Sequence, residues 1–315
     1  MKTYQNEPKM MRETLANLMI EYAAKDSRIV AMDADLASSS GFSAFAKAYP
    51  ERFFNCGVAE ANMIGIAAGL SATGRVPFVH SFGTFASRRV CDQIYLSGAY
   101  SGANIRIVGS DPGITAAYNG GTHMPFEDMA VLRAIPDIKL VEITDSVMLR
   151  GIFDELVNDH GVYYIRLKRK NTPAIYEGGS FKIGKANVLR EGGDAAVICS
   201  GIMTAEALMV ADILAEEGVN VRVVNFHTWK PLDVECVADC AKTGAIVTAE
   251  NHNIIGGLGG AVCEAVCALP NPVRVERVGI NDEFGEVGTE DFLRTRFNLT
   301  ADRIAETVRQ ITDNR

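Results

Sequence analysis

Short apolar runs rich in β-branched residues recur along the first half of the chain. They lie at Arg28–Met32, Phe53–Cys56, Pro77–Phe82, Ile105–Gly109, Lys139–Ile143 and Val162–Leu167, and they predict buried strands. Between them apolar residues return every three or four positions across Glu60–Ala72, Phe85–Ser97, Phe126–Ala134 and Ser146–Asn158, which predicts helices. Charges, Pro173 and the Gly178-Gly179 pair break the rhythm across 168–185. It then resumes, with strands expected at Ala195–Ser200, Val219–Phe226, Ala245–Glu250 and Val273–Val278 and helices at Thr204–Glu217, Asp233–Lys242, Gly260–Ala268 and Ala301–Thr312. Such alternation predicts an α/β fold of two doubly wound, mostly parallel open sheets with helices on both faces. The expected division is a first domain over 1–172, a linker over 173–190 and a second domain over 191–315. In open sheets of this kind ligands bind beyond the carboxyl ends of strands.

Composition narrows the function classes. A net charge of -8 and the lack of any Lys/Arg-rich run argue against a nucleic-acid partner. The opening MKTYQNEPKM lacks the apolar core of an export signal. The most hydrophobic segment, Val197–Ala215, is interrupted by Glu206 and Asp212, which suits a strand and helix better than a membrane span. A cytoplasmic protein is therefore expected. Seven cysteines, an odd number in a chain of this size, suit a reducing compartment. The pairs Cys236/Cys240 and Cys263/Cys267 fall on predicted helices among apolar neighbours, so they are expected to be small buried residues rather than a zinc site. The glycines of 255–260 miss the dinucleotide spacing, and no phosphate loop, H-E-x-x-H or G-x-S-x-G motif is present.

The chemistry concentrates elsewhere. Residues 55–69 read NCGVAEANMIGIAAG, a strand end, a glycine turn and a helix with Glu60 in its first turn. Because Ala59, Met63, Ile64, Ile66 and Ala67 leave little polar face, this helix is expected to be covered all round, with Glu60 desolvated. Burial would raise the pKa of that carboxyl and the helix terminus would lower it; desolvation is expected to win where a partner chain seals the site. Phe82 and Phe85 flank a loop at the end of a strand and, with Glu60, suit a flat heterocycle. The loop 110–125, SDPGITAAYNGGTHMP, is long and glycine-rich, and His123 lies near its end.

Together GVAEANM, SFGTF, GGTHMPFEDMAVLRAIP, RLKRKN and VTAENHNIIGGLGG resemble the carboxyl-terminal half of transketolases in the family's order, over nearly the whole chain. The split subunits of some transketolases are the most similar. The resemblance implies a thiamine-diphosphate enzyme that moves a two-carbon ketol unit from a ketose phosphate to an aldose phosphate. Glu60 then matches the glutamate that hydrogen-bonds the aminopyrimidine, Phe82 and Phe85 match the residues that stack on it, and Arg88 and Asp35 fall at further cofactor-contacting positions. His123 matches the histidine that meets substrate hydroxyls and assists proton transfer, while Arg12, Ser39 and Arg169 match the residues that hold the terminal phosphate. Arg166, Lys168 and Lys170 compete with Arg169 for that role. Arg12 also has a physical reading, since it flanks the Met11, Leu15, Leu18, Met19 stripe of a helix and needs an anion or an ion pair there.

The family holds diphosphate and magnesium through a Gly-Asp-Gly motif, which this chain lacks. The acidic groups Asp33/Asp35 and Asp282/Glu283/Glu286 lack that context, so no metal ligand is assigned here. A larger amino-terminal subunit is expected to carry Gly-Asp-Gly and hold Mg2+, in an α2β2 assembly. Ser110 and Asn119 stand where many transketolases have a histidine and an aspartate that contact the sugar, and the loop is one residue longer. A specialised catabolic sugar is therefore a credible substrate. The rivals are a deoxyxylulose-phosphate-synthase-like chain, a 2-oxo-acid dehydrogenase β-like chain and a noncatalytic partner subunit.

Overall fold

A computed structural model describes residues 4–313. Twelve strands form among them: β1 (Ile29–Asp33), β2 (Phe53–Asn55), β3 (Val76–Phe82), β4 (Ile105–Ser110), β5 (Lys139–Glu142), β6 (Val162–Leu167), β7 (Asn187–Arg190), β8 (Ala195–Cys199), β9 (Val221–Asn225), β10 (Thr228–Lys230), β11 (Ala245–Asn253) and β12 (Arg274–Ile280). They build a seven-stranded sheet in the order β10-β5-β6-β4-β3-β1-β2 and a five-stranded sheet in the order β12-β11-β8-β9-β7. Each is parallel except for one antiparallel edge strand, β10 against β5 and β7 against β9. The α/β class read from the alternating pattern is thus the one observed.

Every expected strand forms to within a few residues, and its burial explains why: β1, β4 and β6 are buried at every position, as continuous apolar runs require in a parallel sheet covered on both faces. One core layer packs Met11, Leu15 and Met19 of the Met11–Ala23 helix, and Phe153 of the Ser146–Asn158 helix, on one face of the first sheet. A second core runs without interruption from Met63, Ile64 and Ala67 into Ile198, Val224 and Trp229, so the two sheets share buried apolar surface. The segment Val197–Ala215 is the end of one unit's strand and the helix Met203–Glu216.

Four expectations need correction. The helix expected over Phe85–Ser97 is broken into short pieces, Gly83–Ala86, Arg88–Val90 and Cys91–Gln93, ending in a π-helical stretch over Ile94–Tyr100. The Ser87 hydroxyl donates to the Gly83 carbonyl at 2.6 Å, and Ser87 itself leaves helical geometry, so the coil cannot continue. The last residues of the expected linker form β7. The Glu60–Ala72 helix is not covered all round in this chain: Ala61, Asn62, Gly65, Ile66 and Gly69 are exposed. Of the four paired cysteines only Cys240 is buried; Cys236 and Cys263 are half-buried and Cys267 is exposed. No cysteine among the described residues forms a disulfide, and no helix is long and apolar enough to cross a membrane.

Candidate active site

Glu60 opens its helix beside the end of β3 and is 3% exposed although the helix's outer face is bare. Its Oε1 accepts from the Ser81 hydroxyl at 3.0 Å, and its Oε2 accepts from Arg89 at 2.9 Å. A carboxylate this buried needs such partners, and it has one neutral and one cationic. Next to it Phe82, Phe85 and His123 form a three-ring wall, with His123 centroids 5.9 Å from Phe82 and 5.1 Å from Phe85, both edge-on. The structure therefore brings together Glu60, Phe82, Phe85 and His123, which are 63 positions apart at the extremes of the sequence (60 to 123). Arg88 turns away to Glu127 at 2.5 Å, whereas Arg89 lies over the Phe85 ring, its guanidinium carbon 3.8 Å from the centroid. The break at Ser87 sends the two arginines in different directions.

The loop after β4 is anchored from the second sheet. Asn251 on β11 donates to the Pro112 carbonyl at 2.9 Å and accepts from Ile114 N–H at 3.0 Å. Gly113, at φ +51°, lies so close to Asn251 that a Cβ there would overlap its side chain. Ile114, Ala116, Met124 and Phe126 are buried in the second unit's core, and Ala117 is held at φ +48° within the loop. A non-glycine residue in that region is strained by about 1–3 kcal/mol and persists because its surroundings dictate it. Asn119 is exposed on this loop, and the His123 Nδ1 lies 2.9 Å from the Thr122 hydroxyl. Ser110 is fully buried, with its hydroxyl 3.0 Å from His80 Nε2, and His80 Nδ1 lies 3.2 Å from Asp33. A free serine hydroxyl for the sugar is therefore not what this arrangement offers.

Arg12, Ser39 and Arg169 also converge. Arg12 N–H donates to the Arg169 carbonyl at 3.1 Å, and its guanidinium reaches the carbonyls of Ser38 and Ser39 at 3.5 and 3.4 Å. No carboxylate pairs with Arg12 among the described residues. Arg169 sits 2.6 Å from Asp111 and 5.1 Å from the Phe82 centroid, between the anion-seeking corner and the ring wall. Burial pushes the Asp111 carboxyl up while Arg169 pulls it down, and the net shift is upward. Of the competitors, Arg166 is buried in an ion cluster and Lys168 is tied to Glu290 at 2.8 Å, whereas Lys170 is exposed. Asp35 is exposed, at φ +64°, and accepts from Asn55 at 2.9 Å. Glu283 and Glu286 both pair with Arg296, and no group of three acidic, histidine or cysteine side chains among the described residues is arranged to hold a metal ion.

Sequence reasoning missed Ser81, Arg89 and Asn251. It also missed Arg166 as an organiser: its guanidinium pairs with Asp128 at 3.0 Å and Glu142 at 2.6 Å and donates to the carbonyls of Pro125 and Asn251 at 3.2 and 2.8 Å. Burial alone would lower its pKa, but the two carboxylates outweigh it and raise it. A fixed guanidinium thus ties the residue two positions after His123 to β11. The arginine pair that closes SFGTFASRR was the available signal for Arg89, and Asn251 lies in the VTAENHNIIGGLGG motif, which does not show that it reaches the 110–125 loop.

Residues 7–174 match the transketolase pyrimidine-binding domain family and residues 184–304 the transketolase C-terminal domain family. The chain is 51% identical, over 98% of its length and 96% of the relative's, to a 6-deoxy-6-sulfo-D-fructose transketolase subunit of Clostridium sp. (strain MSTE9). It is 34% identical, over 94% of its length and 95% of the relative's, to one of the subunits of the apulose-4-phosphate transketolase of Phocaeicola vulgatus. Among solved structures it is similar to a split-gene transketolase in an inactive beta4 tetramer, at TM-score 0.89 and 38% identity, covering 96% of this chain and 98% of that one.

Proposed function

Since the chain belongs to the transketolase family and is a subunit of the split kind, we propose that it binds the pyrimidine end of thiamine diphosphate through Glu60, Phe82 and Phe85, while a separate larger subunit supplies Gly-Asp-Gly, Mg2+ and the diphosphate site. The site's chemistry fits such a ring. Phe82 and Phe85 are half-buried and present aromatic surface, and Glu60 is a desolvated carboxylate at its edge. Asp35, exposed, would contribute at the rim, and Arg88 would do so only on leaving Glu127. Once bound, the cofactor supplies the carbon centre that carries a two-carbon unit between sugars. In an α2β2 assembly the bare face of the Glu60 helix is the surface the larger subunit would cover.

This chain's own residues then do three things. Glu60 Oε2 holds or accepts a proton at the ring's edge, through a hydrogen bond that exclusion of water strengthens. His123, with Nδ1 engaged by Thr122, presents its other ring nitrogen to sugar hydroxyls, and Asn119 adds a neutral amide to that side. Arg12 and Arg169, with Ser39 beside them, grip an anionic group at the far end of the sugar. The similarity to the 6-deoxy-6-sulfo-D-fructose transketolase subunit supports a donor ending in sulfonate, an anion the same guanidinium groups suit as well as phosphate. Ser110 acts on the sugar only indirectly, through the loop it supports.

The burial of Glu60 beside an aromatic wall is the observation that carries this reading. It is tested by reconstituting the chain with its larger partner and assaying transfer from 6-deoxy-6-sulfo-D-fructose to an aldose phosphate. Glu60→Ala is expected to reduce turnover at least about a hundredfold, the scale of losing a proton-transfer group, while the circular dichroism spectrum and melting profile stay as in the parent. Normal turnover by that variant, or release of carbon dioxide from pyruvate by the parent, would overturn the assignment.

A further inference from the structure

Arg89 occupies the two places the aminopyrimidine needs. Its guanidinium lies 3.8 Å above the Phe85 ring and donates to Glu60 Oε2 at 2.9 Å, so it is a planar, cationic donor stacked on the aromatic and bonded to the carboxylate. We propose that Arg89 is a built-in stand-in for the cofactor's pyrimidine: it fills the Glu60–Phe85 corner while the cofactor is away and swings out when the cofactor enters. The inference rests on the reading that Glu60 and Phe85 receive the pyrimidine.

Three observations carry it. Glu60, at 3% exposure, cannot be left as a bare anion, and the Ser81 hydroxyl alone is a weak partner for a buried charge. One ring face and one carboxylate oxygen cannot serve a guanidinium and a pyrimidine at once, so the two exclude each other. Finally, the Arg89 side chain is 45% exposed, so it has open space to move into, whereas its neighbour Arg88 is already committed to Glu127. Arginine suits the post better than lysine because its flat, forked guanidinium both stacks and pairs.

Displacing the side chain opposes cofactor binding by the strength of its ion pair and its cation–π contact. The test measures the dissociation constant of thiamine diphosphate with Mg2+ for the reconstituted complex, by calorimetry or quenching of intrinsic fluorescence, in the parent and in Arg89→Ala, Arg89→Lys and Glu60→Gln. Removing the stand-in is expected to tighten binding about 3- to 10-fold, the scale of one half-exposed ion pair with a cation–π contact, and to speed association. Arg89→Lys, which keeps the charge without the flat fork, falls between and guards against a folding defect in the alanine variant. Weaker or unchanged binding in both Arg89 variants would overturn the proposal, since an arginine that stays on Glu60 in the loaded enzyme should help. Failure of the underlying reading looks different: Glu60→Gln would then bind the cofactor as the parent does, whatever the Arg89 variants show.

Discussion

Among the described residues the Arg12 guanidinium meets only carbonyl oxygens, and Arg169 shares its charge with Asp111, so the corner they form has positive charge to spare. Charge-assisted bonds of this kind contribute about 1.5–3 kcal/mol each. Arg12→Ala is therefore expected to raise KM for a donor ending in sulfonate or phosphate about 10- to 100-fold with kcat little changed. A donor with an uncharged end should show no such change; equal losses for both donors would mean a structural role. At this scale much of the candidate site was legible. Glu60, the two phenylalanines and His123 sit in dense local motifs, and the fold brings them side by side. What could not be read was which arginine faces Glu60, because that depends on the Ser87 hydroxyl diverting one carbonyl and turning the backbone.

Strands and most helices were legible because each carries its own apolar period. The segment after Phe85 was not, since its apolar spacing is helical while its hydrogen bonding is not. The loop 110–125 shows the opposite case: its glycines advertise mobility, yet the chain pins it. Asn251 lies 137 positions from Ile114, so no local pattern could reveal the clamp. The four loop-flank side chains that enter the second unit's core, Ile114, Ala116, Met124 and Phe126, reinforce it, with burial of a large apolar side chain stabilising by about 1.5–3 kcal/mol. Asn251→Ala is expected to speed amide hydrogen exchange across 112–123 and lower kcat about tenfold, from loosened placement of His123, while thiamine diphosphate affinity holds. Unchanged exchange in the loop would show that the apolar anchors suffice.

For the whole molecule, the seam between the two sheets sets the response to pH. Burial pushes His227 and His252 down to about 4 from 6.5. The unfolded chain therefore takes up their protons first, so the stability they contribute is complete above pH 6.5 and is lost as pH falls toward 4. Burial pushes Glu250 up to about 8 from 4.5, against the amides of Leu258 and Gly259 that favour its charge. Its contribution is complete below pH 4.5 and is lost as pH rises through 8. Each group changes stability by at most about 1.4 kcal/mol per pH unit. Scanning calorimetry should find the highest melting temperature near pH 6.5, and Glu250→Gln should flatten the decline toward pH 8; an unaltered decline would place its origin elsewhere.

The strand β10 comes from the second half of the sequence yet hydrogen-bonds to β5 at the edge of the first sheet. Backbone pairing of this kind is a stitch, and the shared core and the Arg166 cluster lie beside it. For the two halves to hinge apart, a strand would have to be stripped from a sheet and an ion cluster torn open. Rigid-body breathing within the polypeptide is thereby suppressed. If Glu60 and His123 receive the sugar as proposed, its admission would then depend on side-chain movement and on how one polypeptide docks on another.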